Sequence, residues 1–595
     1  MSQPLLPIFN VRNTNKRFKS TFYNEKNLIL ILLGISVFTV IFIVYNLPSD
    51  IGRVVNNNNF KNVFIPEFKE SNVQRHFENH QHPAPPINDD KGLDKQIESN
   101  KIANNEDKKI LDDTNKDHII DEPDLNSDIK MKRDKIKEMT LFGWKNYEKY
   151  AWGENELKPL SKVGHSAGIF GNKPTKLGAT IVDGLDTMYL MGYMDEYKRG
   201  REWILNNLNL NVDSEFSVFE INIRFIGGLL SLYTLTNDKV FLDKAEEIAK
   251  LILPAFDTPT GIPMALINPI TKHSKNYNWA PGSCSILAEF GTLSLEFQYL
   301  TDLTGNKIFS EKIDKINKVL ASVDKENGVY YNYLNPSDPK WCMKDASIGA
   351  LGDSYYEYLY KAWLYGDKKD DELLKTYLAA MKAVREKLLD YSPKEKMAFF
   401  GDLKSGYRLE KKMDHLACFS GGLLALTSKE TDNMDAETKK VYLDLGANIT
   451  NTCHESYIRT PTHIGPEAFH FERPDQEAYS LKQNEKYYIL RPETFESYFY
   501  LWRLTKDNKY REWAWDAVQA IEKYCRTDAG YSGLKDVYEQ NPVQDDVQQS
   551  FFFAETLKYL YLIFSDDDVL PLDKYVFNTE AHPFLIRSHQ NKSKQ

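Results

Sequence analysis

The sequence repeats one pattern at Leu230 (LSLYTLTNDKVFLDKAEEIAKLI), Phe297 (FQYLTDLTGNKIFSEKIDKINKVL) and Tyr500 (YLWRLTKDNKYREWAWDAVQAIEKY). Each copy has an aromatic and leucine-rich segment, a short turn of Gly, Asp, Asn or Lys, and a second amphipathic segment. This pattern predicts a pair of helices joined by a tight turn. Looser copies start at Leu185, Lys361, Gly421 and Lys558. Together they predict about seven helix pairs.

Helix pairs of this kind bury their apolar faces only against neighbouring pairs. The first helix of each pair is rich in Phe, Tyr and Leu, and the second is rich in Lys and Glu. We therefore predict an all-α fold, an (α/α)7 toroid or barrel with the apolar helices inside. No polar capping repeat is evident in the sequence, which favours a closed ring over an open solenoid.

Length and charge limit the classes of partner. The chain has 595 residues and a formal net charge of -10, and it offers no basic stripe that could displace counterions from a nucleic acid. We therefore exclude nucleic acid as a partner. Aromatic residues make up 13% of the chain, enough either to fill a large core or to line a carbohydrate groove.

The N-terminal region predicts a membrane anchor. Residues 28–45 read LILILLGISVFTVIFIVY without a charge, and basic residues cluster before this run. The run is long enough to span, and the positive flank places the N-terminus in the cytosol. We predict a cytosolic tail (1–27), a transmembrane signal anchor (28–47), a disordered lumenal stem (48–135) and a catalytic domain (136–590). A cleaved signal peptide is the alternative, but the run is long for one and no small-x-small site follows it.

The cysteines and the glycosylation motifs agree with a lumenal domain. Five cysteines are present and none forms a C-x-x-C pair, so one disulfide with leftover thiols is the expectation for an oxidising compartment. Sequons at Asn448 and Asn591 are accessible to glycosylation only in a lumen, which predicts a glycoprotein.

Acidic residues recur at or near the starts of the predicted inner helices. They are Glu220, Glu289, Asp353, Glu493, Glu496 and Glu555. Any one of them could simply stabilise a helix dipole. If the inner helices run in the same sense, however, these carboxyl groups converge at one mouth of the ring, and their repulsion raises some pKa values. Such a pocket suits glycoside hydrolysis or a cation site, and oxygen ligands without a His/Cys cluster favour calcium over zinc.

Seven segments, in order, resemble the signature segments of glycoside hydrolase family 47, the class I α-mannosidases. They are KLGATIVDGLDTMYLMG, FEINIRFIGGLLS, GDSYYEYLYKAW, MDHLACF, LRPETFESYFYLWRLT, FFFAETLKYLYLIFSDDD and YVFNTEAHPF. The resemblance covers about residues 140–585. It implies a calcium-dependent, inverting hydrolase that removes terminal α-1,2-linked mannose from high-mannose Asn-linked glycans.

The resemblance also implies roles for individual residues. Glu220 matches the general acid, which acts through a water, and Glu493 and Asp353 match the two candidates for the general base, of which we prefer Glu493. Residues that match positions binding the sugar or the hydration shell of the ion are Arg224, Glu289, His415, Arg491, Glu496 and Glu555. Phe551 matches a ring that packs on the bound mannose.

Three further expectations come from the resemblance alone. Thr579, in VFNTEAHPF, matches the direct protein ligand of calcium, through its hydroxyl and carbonyl oxygens. Cys418 and Cys453 match the pair that forms the disulfide of the family, which would leave the other cysteines as buried thiols. Leu351 stands where enzymes of the endoplasmic reticulum have Arg, so the resemblance indicates a Golgi-type enzyme with a broader tolerance of branch order.

Two other functions remain open from the sequence. A mannosidase-like lectin with weak or no hydrolysis would keep the toroid and the sugar pocket, and an unrelated (α/α) epimerase or lyase would keep the toroid only. The presence of all matched acids and of Thr579 favours the hydrolase. The full expectation is a single-pass type II protein of the Golgi membrane that acts on glycans of glycoproteins.

Overall fold

The computed structural model describes residues 126–325 and 328–590, and long helices carry most of them. The predicted tail, the predicted span and most of the predicted stem lie outside the described residues. The long helices are α1 Ser127–Ala151, α2 Ala179–Leu190, α3 Met194–Asn207, α4 Val218–Thr236, α5 Lys239–Ile252, α6 Ser294–Thr304, α7 Ile308–Ser322, α8 Asp353–Tyr365, α9 Asp371–Lys387, α10 Phe419–Glu430, α11 Ala436–Ile458, α12 Glu493–Thr505, α13 Lys509–Tyr524 and α14, which runs over Phe552–Thr556 and Leu557–Ile563. Single helical turns occur at Leu287–Phe290 and Arg587–Gln590.

The even-numbered helices form the inner layer of a closed ring. Each of them contacts the next even-numbered helix, and α14 contacts α2, where the Thr187 hydroxyl donates to the carbonyl of Phe553 at 2.9 Å. Each inner helix also packs against one outer helix: α3, α5, α7, α9, α11 and α13 each pack on the inner helix before them, and α1 packs on α14. The helix-rich fold is confirmed, and this closed order of contacts is that of an (α/α)7 barrel.

The turns between paired helices explain the repeat in the sequence. Asn237, Gly305 and Lys506 occupy the same place in the three quoted copies, directly after the inner helix. Their φ angles are 55°, 74° and 58°, so each ends its helix in the left-handed conformation. Gly and Asn adopt this conformation most readily, and it reverses the chain so that the next helix packs alongside.

Short antiparallel strands connect the helices at their ends. They are β1 Glu156–Lys158, β2 Val163–His165, β3 Phe216–Ser217, β4 Leu266–Ile267, β5 Ser274–Lys275, β6 Ser285–Ile286, β7 Tyr333–Leu334, β8 Trp341–Met343, β9 Leu389–Tyr391, β10 Ala398–Phe400, β11 Asp402–Lys404, β12 Arg408–Glu410, β13 Lys412–Asp414, β14 Ala468–His470, β15 Arg526–Thr527, β16 Gly530–Tyr531, β17 Tyr575–Phe577 and β18 Pro583–Leu585. Two sheets, β3-β4-β5 and β6-β7-β8, have three strands, and the other strands pair in twos.

The β17–β18 hairpin packs inside the ring of inner helices. The ring of Phe577 lies 5.6 Å from that of Phe499 on α12 and 6.1 Å from that of Tyr559 on α14. Phe584 stacks on Tyr299 of α6 with ring centroids 4.7 Å apart. The backbone of the hairpin also contacts α4 and α8. Because the hairpin touches helices on several sides of the ring, it fills the interior.

The catalytic unit starts earlier than the sequence predicted. Residues 127–135, which we had assigned to the disordered stem, are the first turns of α1. The Asn126 side chain accepts a hydrogen bond from the backbone N–H of Asp128, and Ile136 and Met139 are fully buried. The N-cap and these apolar positions order a segment whose composition alone looks polar. Within the described residues, α4 has the length and apolarity of a membrane span, but most of it is buried in the core.

The structure contains one disulfide that the sequence predicted and one that it did not. Cys418 and Cys453 are bonded, as expected. Cys284 and Cys342 are also bonded, so the prediction that both are thiols is wrong, whereas Cys525 is a buried thiol as predicted. The second bond forms because β6 and β8 flank β7 in one sheet and bring the two cysteines together. The sequence does not reveal this proximity, because 58 residues separate the pair.

Candidate active site

One cavity lies among the N-terminal ends of the inner helices, and its atom-free space is about 460 Å³. The lining residues are Ile223, Asp353, Ser354, Glu357, Leu416, Phe419, Arg491, Pro492, Glu493, Glu496, Phe551, Glu555, Thr579 and Glu580. The structure therefore brings together seven of the residues that the resemblance singled out: Asp353, Arg491, Glu493, Glu496, Phe551, Glu555 and Thr579.

Two π-helical segments turn inner-helix side chains toward this cavity. Residues Ile221–Ile226 in α4 and Phe552–Thr556 in α14 both adopt the π conformation. A π segment holds an extra residue per turn, so the side chains after it point in a different direction from those of a regular helix, and such segments are common at functional sites. Here the two segments carry Arg224 and Glu555.

Arg224 joins Glu220 to the wall of the cavity. Its Nε donates to Glu220 Oε2 at 2.8 Å, and one of its terminal nitrogens contacts Asp183 at 3.2 Å, Ser550 at 3.3 Å and the carboxylate of Glu580. All of these side chains are buried. One guanidinium thus contacts three acidic side chains, and it fixes Glu220 beside the cavity without making it part of the lining.

Glu493 is held as a carboxylate by its neighbours. Burial alone would raise its pKa, but a hydrogen bond from His415 (2.7 Å) and the charge of Arg491 (3.6 Å) keep the pKa of Glu493 below its ordinary value. A carboxylate can only accept, so His415 donates from Nδ1, and its Nε2 is hydrogen-bonded to the hydroxyl of Tyr457 at 2.6 Å. Arg491 is fixed in turn by a two-point ion pair with Glu467 at 2.5 and 2.6 Å.

The pKa of Asp353, which lines the same cavity, is shifted in the opposite direction from that of Glu493. Burial, followed by the charges of Asp414, Glu357 and Glu493, raises the pKa of Asp353 well above its usual range. Its Oδ1 accepts from the backbone N–H of Ser354 at 2.9 Å, whereas its Oδ2 is buried without a hydrogen-bond partner in the described residues. Two carboxyl groups in one cavity with pKa values pushed apart are the usual basis for dividing acid and base roles.

Thr579 lies on the other side of the cavity, in the turn of the β17–β18 hairpin, next to a group of acids. Burial raises the pKa of Glu496 and of Glu580 to about 8, and burial together with the charge of Glu580 raises the pKa of Glu555 well above its ordinary value. The lining residues include six acids and one basic side chain, Arg491. From outside the lining, Arg224 pairs with Glu580, and Lys361 pairs with Glu357 and lies 3.7 Å from Glu496, so the acids still outnumber the basic groups beside them. The cavity is short of positive charge.

That shortage fits a cation with oxygen ligands. The donors around Thr579 are hydroxyl, carbonyl and carboxyl oxygens, which suit calcium. Within residues 126–325 and 328–590, no three His, Cys, Asp or Glu side chains are close enough to enclose a metal directly. The residues here that could hold a calcium ion are Thr579, through its own oxygens, and the surrounding acids, through water.

Glu289 and Leu351 lie beside a second, smaller space and not in the main cavity. Glu289 lines a cavity of about 200 Å³ together with Ser285 and Phe290. Burial, and then the charge of Glu220, raises the pKa of Glu289 to about 8. Leu351 is partly buried with a φ of 80° and packs against the small apolar cluster that contains Cys284.

The structure adds residues that the sequence analysis did not name. They are Asp183, Glu357, Asp414, Glu467 and Glu580. Two of them had a signal in the sequence: Glu357 follows Asp353 by four residues, which places both on one face of a helix, and Glu580 adjoins Thr579. Asp414 and Glu467 are brought to the site by β13 and by the loop before β14. Asp414 stands in the quoted segment MDHLACF, whereas Glu467 stands in none of the quoted segments.

Comparisons with known proteins find a matching family, similar sequences and a similar fold. The sequence model of Glycosyl hydrolase family 47 matches residues 139–586. Mannosyl-oligosaccharide alpha-1,2-mannosidase IA of Drosophila melanogaster is 57% identical over 464 residues, which are 78% of this chain and 68% of that protein. Mannosyl-oligosaccharide 1,2-alpha-mannosidase IB of Homo sapiens is 54% identical over 77% of this chain and 70% of its own length. The solved structure of an alpha-1,2-mannosidase from Trichoderma reesei covers 77% of this chain and 99% of its own, with a TM-score of 0.69 and 29% identity.

Proposed function

Because the chain belongs to glycosyl hydrolase family 47, we propose that it removes terminal α-1,2-linked mannose from high-mannose Asn-linked glycans, with inversion and with calcium. The observation that carries the mechanism is that Glu493 is held ionised in an acid-lined cavity while the pKa of Asp353 is raised there, which favours Glu493 over Asp353 as the base. The names of the relatives do not favour the alternative of a lectin without hydrolysis.

The reaction needs one group to take a proton and one to give it. Glu493, held ionised by His415, takes a proton from the water that attacks the anomeric carbon. The bond to the leaving oxygen breaks on the opposite face of the sugar, and Glu220 delivers a proton to that oxygen through a second water. The carboxylates of the cavity face the positive charge that develops on the ring.

The cavity provides positions for the ion and for the sugar. Thr579 would hold calcium directly, and Glu496, Glu555 and Glu580 would hold the water around it. A bound calcium ion would supply a fixed positive centre for the hydroxyl groups of the mannose. Phe551, which lines the cavity beneath Arg224 at 5.5 Å, offers a flat apolar surface to the face of the pyranose.

For the compartment, we propose a type II protein of the Golgi membrane with its catalytic domain in the lumen. The uncharged run 28–45 and the basic residues before it support the anchor. Two disulfides in the described residues fit an oxidising lumen. Leu351 supports the Golgi type, because Leu cannot make the hydrogen bonds of an Arg to a particular glycan branch.

The proposed function is tested by incubating the purified full-length chain with a defined high-mannose glycan and following the released sugar by NMR. We expect free mannose whose first anomer is β, since inversion at an α-linkage gives the β form. A calcium chelator should abolish release, and adding calcium back should restore it. Calcium should also raise the melting temperature of the protein by roughly 2–8 °C, because a ligand that binds only the folded state stabilises it.

Each part of the proposal can fail separately. Initial release of α-mannose would contradict inversion, and undiminished release after chelation would contradict the role of calcium. If the protein binds the glycan but releases no mannose, the proposed function is wrong and the protein is a lectin instead. Magnesium added in place of calcium serves as the matched control, because a smaller ion that requires strict octahedral geometry should restore less activity.

Leu351→Arg should change the order in which branches are trimmed. An arginine at this position adds donors beside the small cavity next to Glu289, and the preference between two glycan isomers should shift on the order of tenfold. Chromatography of the trimmed isomers over time measures this shift. The control is Leu351→Met, which keeps the apolar contact with the Cys284 cluster and should leave the order unchanged. An identical order in the Arg variant would refute the role given to this residue.

A further inference from the structure

The turn that carries Thr579, residues 578–582, is held in place by hydrogen bonds from two directions. Within the turn, the side-chain oxygen of Asn578 accepts from the backbone N–H groups of Glu580 (2.9 Å) and His582 (2.8 Å). On one side, the amide of Asn578 donates to the carbonyl of Ile223 at 3.0 Å and to Glu296 at 2.8 Å. These bonds tie the turn to α4 and α6.

On the other side, the turn rests on a fully buried group of charges. One oxygen of Asp186, on α2, accepts from the hydroxyl of Ser231, the ammonium of Lys558 and Nδ1 of His582, each at 2.8 Å. Lys558, on α14, also donates to the carbonyl of Ala581 at 2.7 Å. Lys558, His582 and Asp186 are each 0% exposed. The turn is thus bonded to α2 and α14, the two helices that close the ring.

His582 connects this group to the site already described. Its Nε2 lies 3.2 Å from Asp183, the carboxylate that also contacts Arg224. Both ring nitrogens therefore face carboxylates and act as donors. Burial alone would lower the pKa of His582, but the charge of Asp186 and the bonds to both acids raise it. The imidazolium is a fixed cation between α2 and the turn.

The adjacent inner helix is shaped to let the turn approach. A Cβ atom at Gly227 would lie 2.6 Å from the side-chain nitrogen of Asn578. A Cβ atom at Gly228 would lie 2.7 Å from the carbonyl of Val182 and 3.3 Å from the ring of His582. Only glycine allows α4 and α2 to pack this closely around the turn. The position of the turn is therefore set by the backbone of α4 as well as by the charges.

Charges buried in this way contribute little to stability for their cost of desolvation, and an apolar group of the same shape would often serve as well. Because this network bonds the turn at two places, the carbonyl of Ala581 and the ring of His582, holding the turn in position explains it better than stability does. We propose that Asp186, Lys558 and His582 are positioning residues that fix the Thr579 turn and thereby set the affinity of the cavity for its cation. This inference rests on the proposed function, since it takes Thr579 as the ligand of calcium.

The test is Lys558→Met in the full-length chain, titrated with calcium chloride while the melting temperature is recorded. Methionine fills the space of the lysine but cannot hold the carbonyl of Ala581. We expect the calcium concentration at half of the full rise in melting temperature to increase about 10- to 100-fold, the usual cost of removing a residue that orients a metal ligand. KM for the glycan should rise as well, and kcat at saturating calcium should stay within about threefold, since no reacting group is touched.

The matched control is Arg503→Met, which removes a buried cation near the C-terminal end of the neighbouring inner helix α12. Arg503 is bonded to the carbonyls of Leu562 and Val569 and makes no bond to the turn. This variant should lower the melting temperature while the midpoint of the calcium titration stays unchanged. If Lys558→Met behaves in the same way, the buried charges are merely structural and the inference is overturned.

A milder variant covers the case in which Lys558→Met does not fold. Ser231→Ala removes one neutral donor to Asp186, leaves every charge in place and should move the calcium midpoint about two- to tenfold in the same direction. An unmoved midpoint in this variant would overturn the inference. If the unaltered protein itself shows no calcium response, the inference falls together with the calcium part of the proposed function. If it responds and releases mannose while both variants titrate normally, the inference alone fails.

Discussion

Glu220→Gln should lower kcat about 10²- to 10⁴-fold, the range expected when a general acid is lost. The amide has the same shape as the carboxyl group, and its oxygen can still accept from Nε of Arg224, so the ion-pair network loses a charge but keeps its geometry. The backbone N–H of Glu220 is capped independently by Ser217, at 3.2 Å. The melting temperature and its rise with calcium should therefore change little.

The measurement is the initial rate of mannose release at saturating glycan, together with both melting curves. Glu372→Gln provides the matched control: it is the same chemical change in the first turn of the outer helix α9, where the side chain is exposed and paired with Lys375. That control should retain the full rate. A Glu220→Gln variant whose kcat lies within about threefold of the unaltered protein would remove Glu220 from the role of acid.

Glu493→Ala should also lower kcat about 10²- to 10⁴-fold, and azide should restore part of the rate. Azide is already a nucleophile and needs no base, so it can attack the anomeric carbon in place of water. The new bond is carbon to nitrogen, the glycosidic bond breaks, and the leaving oxygen still receives its proton through Glu220. The expected product is β-mannosyl azide, detected by mass spectrometry and NMR.

Asp353→Ala, tested in parallel, decides between the two candidate bases. Asp353, whose pKa is raised, should lose activity without recovering it in azide. Recovery in the Asp353 variant but not in the Glu493 variant would assign the base role to Asp353. Recovery in neither would contradict the water-activating role of both residues.

The pH profile offers an independent check on Glu493. A base must be deprotonated to act, and the pKa of Glu493 is held below its ordinary value. On the acidic side of the pH profile, kcat should therefore fall to half at a pH below the pKa of an ordinary glutamate. His415→Gln removes the donor at 2.7 Å and should move this midpoint to higher pH. A midpoint that does not move would show that His415 does not control the ionisation of Glu493.

The repeated helix pairs can be predicted from the sequence because they depend on residues that are close together in the chain. The Thr-Asn-Asp, Thr-Gly-Asn and Thr-Lys-Asp turns end their helices in the same left-handed conformation, and the apolar segments before them are the inner helices. The start of α1 was missed for the converse reason. Its first turns are polar, and they are ordered by packing of Ile136 and Met139 against the rest of the ring.

The candidate site was only partly accessible from the sequence. Acids at the starts of inner helices could be picked out, because each stands within a few residues of a recognisable helix start. The residues that pair with these acids and set their pKa values could not be identified from the sequence. His415 and Glu493 are separated by 78 residues, and Asp186 and His582 by 396.

The sequence by itself determined the paired helices, the apolar inner faces and the presence of many acids near helix starts, since propensity, periodicity and capping act over a few residues. Only the tertiary structure decided which acids share a cavity, which of them are charged, and where the Thr579 turn lies. The physical reason is that a pKa depends on burial and on charges a few ångströms away, and ring closure brings those charges from distant parts of the chain. The Cys284–Cys342 bond illustrates the same limit, because only the pairing of β6, β7 and β8 brings its two sulfurs together.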